Sequence, residues 1–215
     1  MSGDTPTPVG PGASGEVPTP SSPGASGPGM SGPGASGPGA SGDVPTPSQP
    51  AVTDALEQVT AVVRVEGFPT AHMPILFDGV FTRLFPALGQ AGAQPVGAAF
   101  ALYTGIPGET ADLEVGIPVD RVLEGAVDLG AIEVPGGTSF ALVAQSSALP
   151  GGRIATAAHL GGYDGLGDAW QTFLGALEVQ GVTVAMPFWE VYTTEPHPDM
   201  DPADLRTDLF ISLAD

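Results

Sequence analysis

An internal repeat constrains this chain more than any other feature of its sequence. A shift of 89 residues aligns a predicted helix and the strand after it with a second helix and strand. The aligned pairs are Phe77 and Leu166, Leu84 and Phe173, Leu88 and Leu177, Gly92 and Gly181, Phe100 and Trp189, Leu102 and Val191, and Tyr103 and Tyr192. After an insertion of five residues, 114–119 aligns with 208–213. We therefore predict a tandem strand–helix–strand–strand repeat of the α+β class, with the helices on one side of paired sheets and a cleft where the halves meet.

Apolar periodicity predicts the individual elements. In the first half, residues 60–65, 95–103 and 112–119 have the pattern of strands, and 74–90 that of a helix which Pro86 is expected to kink or shorten. Residues 121–131 are expected to be a connection. In the second half, residues 139–146, 153–159, 182–193 and 207–213 are predicted strands, and 165–180 is a predicted helix that Gly181 ends.

The N-terminal segment has a different composition from the rest of the chain. Its first fifty residues contain 12 glycines and 12 prolines and repeat the sequence Pro-Gly-Ala-Ser-Gly. Such a segment buries too little apolar surface to offset the entropy lost on ordering. We predict a disordered tail over residues 1–55 and one domain over 56–215, with halves at about 58–120 and 139–215.

Charge and cysteine content exclude several functions. The chain has 24 acidic residues, five arginines and no lysine, for a formal charge of −19. Nucleic-acid backbones are repelled by such a surface, so direct binding of nucleic acid is not expected. A cationic ligand or a basic protein surface fits better, although an acidic surface also serves solubility. The absence of cysteine excludes disulfides, thiolate metal sites and a cysteine nucleophile.

The chain shows no signal for membrane insertion or for a cofactor. There is no positively charged, apolar start and no long apolar run, so we predict a cytoplasmic protein without a membrane span. No Gly-x-Ser-x-Gly or phosphate-loop motif is present. The single imidazole of His197 lies among prolines, which favours a solvated loop over a metal site. No cofactor or metal is expected.

The predicted strand over residues 182–193 carries the strongest candidate site. Alternation places Phe188, Glu190 and Tyr192 on one face and Trp189 on the other, where it is expected in the core beneath the helices. A glutamate between two rings is either an exposed or salt-bridged strand residue, or it lines a cavity that accommodates a negative charge. We adopt the cavity as the working hypothesis. The aligned residue of the first half is Ala101, so the scaffold itself does not require an acid at this position.

Several motifs of the second half resemble those of one known family. They are residues 149–153, 159–164, 169–170, 189–192 and 207–209, together with 112–119 in the first half. They resemble the GyrI-like (gyrase-inhibitor-like) small-molecule-binding family, and the likeness covers about residues 60–213. This family also supplies effector-binding domains of AraC-type and MerR-type regulators, built as two tandem units around a ligand cleft. The chain has no predicted helix-turn-helix, so the resemblance implies a stand-alone form.

The resemblance also implies the residues of the site. Family members bind hydrophobic, sometimes cationic, drugs with aromatic side chains and one buried glutamate, to which Glu190 corresponds. Ring faces from Phe188, Tyr192 or Trp170 can add cation–π attraction.

Two further tyrosines are candidates for the same site. Tyr103 is the counterpart of Tyr192 in the first half and could face it across the cleft. Tyr163 could close over a ligand, or it could simply anchor its own loop.

Three functions remain open at this stage. The first is binding of a hydrophobic, possibly cationic compound. The second is hydrolysis of cyclopropane-containing natural products, which some stand-alone members of the family catalyse, with Glu190 and Glu114 as a possible acid and base pair. For Glu114 we prefer a water-facing position. The third is an acidic inhibitor of a basic DNA-handling enzyme, for which no particular protein partner is indicated.

Overall fold

The computed structural model describes residues 44–194, 197 and 199–214. Most of the predicted tail, residues 1–43, lies outside the described residues. The predicted boundary at residue 55 is wrong for its last five residues, because Ala51–Ala55 forms a strand that pairs with residues 152–156. That pairing satisfies backbone groups that a free tail would leave to water.

Eleven helices and strands follow in chain order. They are β1 (Ala51–Ala55), β2 (Gln58–Pro69), α1 (Met73–Ala91), β3 (Phe100–Tyr103), β4 (Thr110–Pro118), β5 (Val127–Val134), β6 (Thr138–Leu149), β7 (Gly152–Leu160), α2 (Leu166–Val179), β8 (Val184–Tyr192) and β9 (Arg206–Leu213). Short 3-10 turns lie at Thr70–His72, Tyr163–Gly165 and Pro202–Asp204. None of the helices in the described ranges is long and apolar enough to cross a membrane.

The duplication is confirmed. The unit β2–α1–β3–β4 is repeated as β7–α2–β8–β9, and both helices are followed by a left-handed glycine, Gly92 (φ 70°) and Gly181 (φ 71°). The nine strands form one antiparallel sheet in the order β1-β7-β9-β8-β3-β4-β2-β6-β5. The predicted α+β class is therefore correct. The connection predicted over 121–131 is wrong in part, because β5 begins at Val127 and pairs with β6.

Two long bent strands connect the halves. β1 pairs with β7 and β2 pairs with β6 in the same register, from Ala51 opposite Thr156 to Val63 opposite Ala144. Both strands bend at the same level, at residues 56–57 and 150–151. A Cβ atom at Gly151 would lie 2.7 Å from the backbone nitrogen of Glu57, so the two bends can lie side by side only with glycine there.

Both helices pack on the same face of the sheet. α1 buries Leu76, Val80, Leu84 and Leu88, and α2 buries Ala169, Phe173 and Leu177. The expected shortening of α1 at Pro86 is wrong, because the helix continues to Ala91. Pro86 lies on the exposed side, where water can satisfy the carbonyl that loses its intrahelical partner.

A second apolar cluster lies on the face of the sheet away from the helices. It contains Trp189, which is buried and stacks on Phe210 with ring centroids 5.4 Å apart, together with Val62, Phe100 and Leu102. The expectation that Trp189 lies in the core is correct, but its placement beneath the helices is wrong. Alternation along β8 sends Trp189 to one face because Glu190 faces the helices.

Candidate functional site

The two central strands carry the candidate site on their helix-facing side. β3 and β8 pair so that Ala101 lies opposite Glu190 and Tyr103 lies opposite Phe188. Paired residues of an antiparallel sheet share a face, so these four side chains form one surface. Side chains from both helices reach this surface, since Trp170 of α2 bonds to Glu190 and Phe77 of α1 contacts Tyr192.

Glu190 is a buried carboxylate with two neutral hydrogen-bond donors. Its residue is 6% exposed. Trp170 Nε1 donates to Oε1 at 2.8 Å, and the Tyr192 hydroxyl donates to Oε2 at 2.9 Å. No arginine forms an ion pair with it in the part of the chain that the structure describes. The negative charge is thus hydrogen-bonded but has no cation to balance it.

Burial dominates the titration of this carboxyl group. Loss of water raises the pKa of Glu190, while the hydrogen bonds from Trp170 and Tyr192 and the charge of His159 oppose that rise in part. A cation placed against the carboxylate would therefore stabilise its charged form.

Aromatic rings surround Glu190 in two connected groups. On one side, Trp170 meets Phe188 edge to face at 4.8 Å, and Phe188 stacks on Tyr103 at 4.8 Å. On the other side, Tyr192 contacts Phe77 at 5.6 Å and Tyr163 at 5.8 Å, both edge to face. We call these six residues, Phe77, Tyr103, Tyr163, Trp170, Phe188 and Tyr192, the aromatic cage.

The three tyrosines of the cage are held in their neutral form. Burial raises the pKa of Tyr103 and Tyr192, and the charge of Glu190 raises both further. Burial also raises the pKa of Tyr163. The cage therefore offers ring faces and hydroxyl groups, with Glu190 as its anionic group.

Glu114 lies on the opposite face of the sheet from the aromatic cage. It is buried, 3% exposed, forms an ion pair with Arg64 and accepts a hydrogen bond from Ser147 Oγ at 2.8 Å. Its predicted water-facing position is therefore wrong. It also cannot act with Glu190 as an acid and base pair, because the sheet separates the two side chains. Leu113 and Val115 face the helices, so Glu114 points into the other layer.

The cage brings together the predicted residues Glu190, Phe188, Tyr192, Tyr103, Tyr163 and Trp170. Tyr103 and Tyr192 lie on opposite sides of the Ala101–Glu190 pair rather than in contact with each other. Whether these residues bind a ligand remains a prediction.

Sequence reasoning missed three neighbours of the cage. Phe77 was assigned to the buried stripe of α1, and helical periodicity alone could not separate it from core residues. His159 and Thr207 lie beside Tyr192 on the helix-facing side, in register across β7, β9 and β8. The Thr207 hydroxyl is buried without a partner among the described residues. Only the register of three strands places these two residues near Glu190.

Two cavities lie elsewhere in the described structure. One of about 320 Å³ is lined by Gln90, Ala91 and residues 123–127. The other, of about 230 Å³, lies on the face away from the helices, beside Trp189 and Phe210. Glu190 lines neither cavity, so a ligand that reaches it must displace rings of the cage. Tyr163, at 43% exposed, is the most accessible of these rings. Within the described ranges, no group of three or more His, Cys, Asp or Glu side chains is placed to hold a metal ion.

Comparisons with known proteins give a consistent result. Residues 89–214 match the sequence profile of the GyrI-like small molecule binding domain. No curated protein sequence matches the chain. The EcmrR C-terminal domain aligns with a TM-score of 0.59 at 17% identity, covering 77% of this chain and 97% of that domain. A hydrolase from Listeria innocua aligns with a TM-score of 0.50 at 11% identity, covering 80% of this chain and 94% of the hydrolase. At these identities the structural matches show a shared fold.

Proposed function

Because this chain belongs to the GyrI-like family of small-molecule-binding domains, we propose that it binds aromatic organic cations in the aromatic cage, with Glu190 as the anionic contact. One observation carries this proposal. A buried carboxylate is held by two neutral donors, is surrounded by rings and has no ion-pair partner in the described chain.

The physical balance at Glu190 favours a cationic ligand. Opposite charges about 4 Å apart attract by about 4 kcal/mol at an effective dielectric constant of 20. A cation over ring faces gains about 0.5–2 kcal/mol more. Dehydration of the ligand offsets part of this gain, and apolar burial against the rings supplies the rest of the affinity.

Binding explains the site better than catalysis by two carboxylates. The acid and base pair considered from the sequence is not available, because Glu114 faces the opposite layer and is neutralised by Arg64. We therefore propose a protein that sequesters or senses its ligand.

The test compares one charged and one uncharged probe of the same shape. Benzyltrimethylammonium and its carbon isostere, neopentylbenzene, are titrated by NMR into the wild type and into Glu190→Gln. We expect the glutamine variant to bind the cation about 10–100-fold more weakly, which corresponds to about 1.4–2.8 kcal/mol. Binding of the isostere should change less than about threefold.

A matched control separates the local charge from the net charge. Glu178→Gln removes one negative charge from the exposed end of α2 and should leave both affinities unchanged. The proposal is wrong if the wild type binds neither probe, or if both glutamine variants weaken the cation equally.

A further inference from the structure

The two copies of the repeat differ at the point where they meet. Ala101 is the equivalent of Glu190 under the 89-residue shift, and these two residues pair directly between β3 and β8. A residue that pairs with its own equivalent lies at the junction of the two copies. The centre of the helix-facing surface therefore holds a carboxylate with a fully buried methyl group beside it.

The groups around this junction are polar on one side and mainly apolar on the other. Trp170, which donates to Glu190, corresponds to Phe81 in the first copy. Thr207 has a buried hydroxyl with no partner in the described structure, and it corresponds to Leu113. A ligand with one cationic and one apolar end therefore meets different surroundings in its two orientations. Placing its charge over Phe81 and Leu113 would leave that charge without a polar partner.

We propose that Ala101 determines the orientation and width of the ligand: the cationic group contacts Glu190 on the side of the second copy, and a flat apolar body lies over Ala101 toward the first copy. This inference rests on the proposed function and adds a specificity residue to it. The stacked rings of Tyr103 and Phe188 form one wall for such a body.

The small side chain at position 101 is the physical basis of this selectivity. A methyl group leaves room on the strand beside the carboxylate, and a larger side chain would fill that room. Ala101→Val adds two methyl groups on a strand, where valine is well tolerated by the backbone. It leaves Glu190 and its two donors unchanged.

The experiment uses three quaternary ammonium probes with the same head and bodies of increasing width. They are tetramethylammonium, benzyltrimethylammonium and (9-anthracenylmethyl)trimethylammonium. We expect Ala101→Val to weaken the anthracenyl probe about tenfold or more, because crowding of a packed site is costly, and tetramethylammonium less than about twofold. The control is Ala144→Val, which crowds a buried alanine on the same face of β6 and should affect all three probes equally.

The outcomes separate this inference from the proposed function. If the wild type binds no probe, both are wrong. If the wild type binds and Glu190→Gln weakens all three probes, but Ala101→Val affects them equally, only the inference about Ala101 is wrong.

A second measurement on the wild type does not depend on how the valine variant folds. Intermolecular nuclear Overhauser effects should connect the N-methyl protons of the benzyl probe with Trp170, and its ring protons with the Ala101 methyl group. The reverse pattern, with ring protons at Trp170 and N-methyl protons at Phe81, would overturn the proposed orientation.

Discussion

Replacing Glu190 by glutamine is expected to stabilise the ligand-free protein above neutral pH. Glutamine has nearly the same shape as glutamate. Its oxygen can accept from Trp170 Nε1, and its amide nitrogen can donate to the Tyr192 oxygen, so both contacts of the carboxylate are retained. The substitution therefore removes a buried charge with little change in packing.

The sign of the effect follows from the direction of the pKa shift. Burial raises the pKa of Glu190 in the folded protein above its value in the unfolded chain. The folded form then binds the proton more tightly than the unfolded form does. The stability that this contributes is complete below the unfolded pKa, and it is lost as pH rises through the folded pKa. The wild type should lose stability over that window, and Glu190→Gln should not.

The magnitude is set by competition between dehydration and hydrogen bonding. Hydrogen bonds to a charged group contribute about 1.5–3 kcal/mol each, and the raised pKa means that the cost of burial exceeds the two made here. Each factor of ten in proton affinity corresponds to about 1.4 kcal/mol. We expect a gain in the free energy of unfolding on the order of 1–3 kcal/mol at pH 8.

Urea denaturation followed by far-ultraviolet circular dichroism from pH 5 to pH 8.5 measures this gain. The difference between Glu190→Gln and the wild type should widen as pH rises. Glu178→Gln, at the exposed end of α2, should show no such trend. A difference that is constant with pH, or a glutamine variant less stable than the wild type at pH 8, would refute the reasoning.

Three further predictions concern the same site and its surroundings. A bound cation should release a proton from Glu190, so the affinity for benzyltrimethylammonium should rise with pH in the wild type and stay flat in Glu190→Gln, as titration calorimetry in two buffers would show. Trp170→Phe should destabilise the protein by about 1–3 kcal/mol in urea denaturation, because Glu190 Oε1 loses its donor; equal stability would contradict this. Arg64→Met should also destabilise the protein, by about 1–3 kcal/mol, since Glu114 is left buried with Ser147 as its remaining donor. Binding of the cation should change less than about twofold in that variant, and a larger change would place Glu114 in the site after all.

Much of the fold was predictable because its signals are local. Apolar residues at three- and four-residue steps predicted both helices, and the 89-residue shift predicted the duplication. β1 and β5 were missed because their burial is uneven, so neither strand shows a clear periodic pattern. Each forms because it pairs with a strand distant in the sequence, β1 with β7 and β5 with β6.

The candidate site shows the same division. Alternation along β8 was enough to place Glu190 between Phe188 and Tyr192, because side chains two apart on a strand share a face. The same alternation placed Glu114 on one of two faces, but it could not show which face the helices cover. That choice explains why Glu114 pairs with Arg64 instead of joining the cage.

The sequence by itself determined the repeat, the two helices and the face that Glu190 shares with its neighbouring rings. The tertiary structure decided that Trp170 donates to Glu190, that His159 and Thr207 lie beside Tyr192, and that Ala101 pairs with its own equivalent. The physical reason is the range of the interactions. Periodicity reflects contacts within one turn or one strand, whereas these contacts depend on the register between strands and the packing of helices that are far apart in the chain.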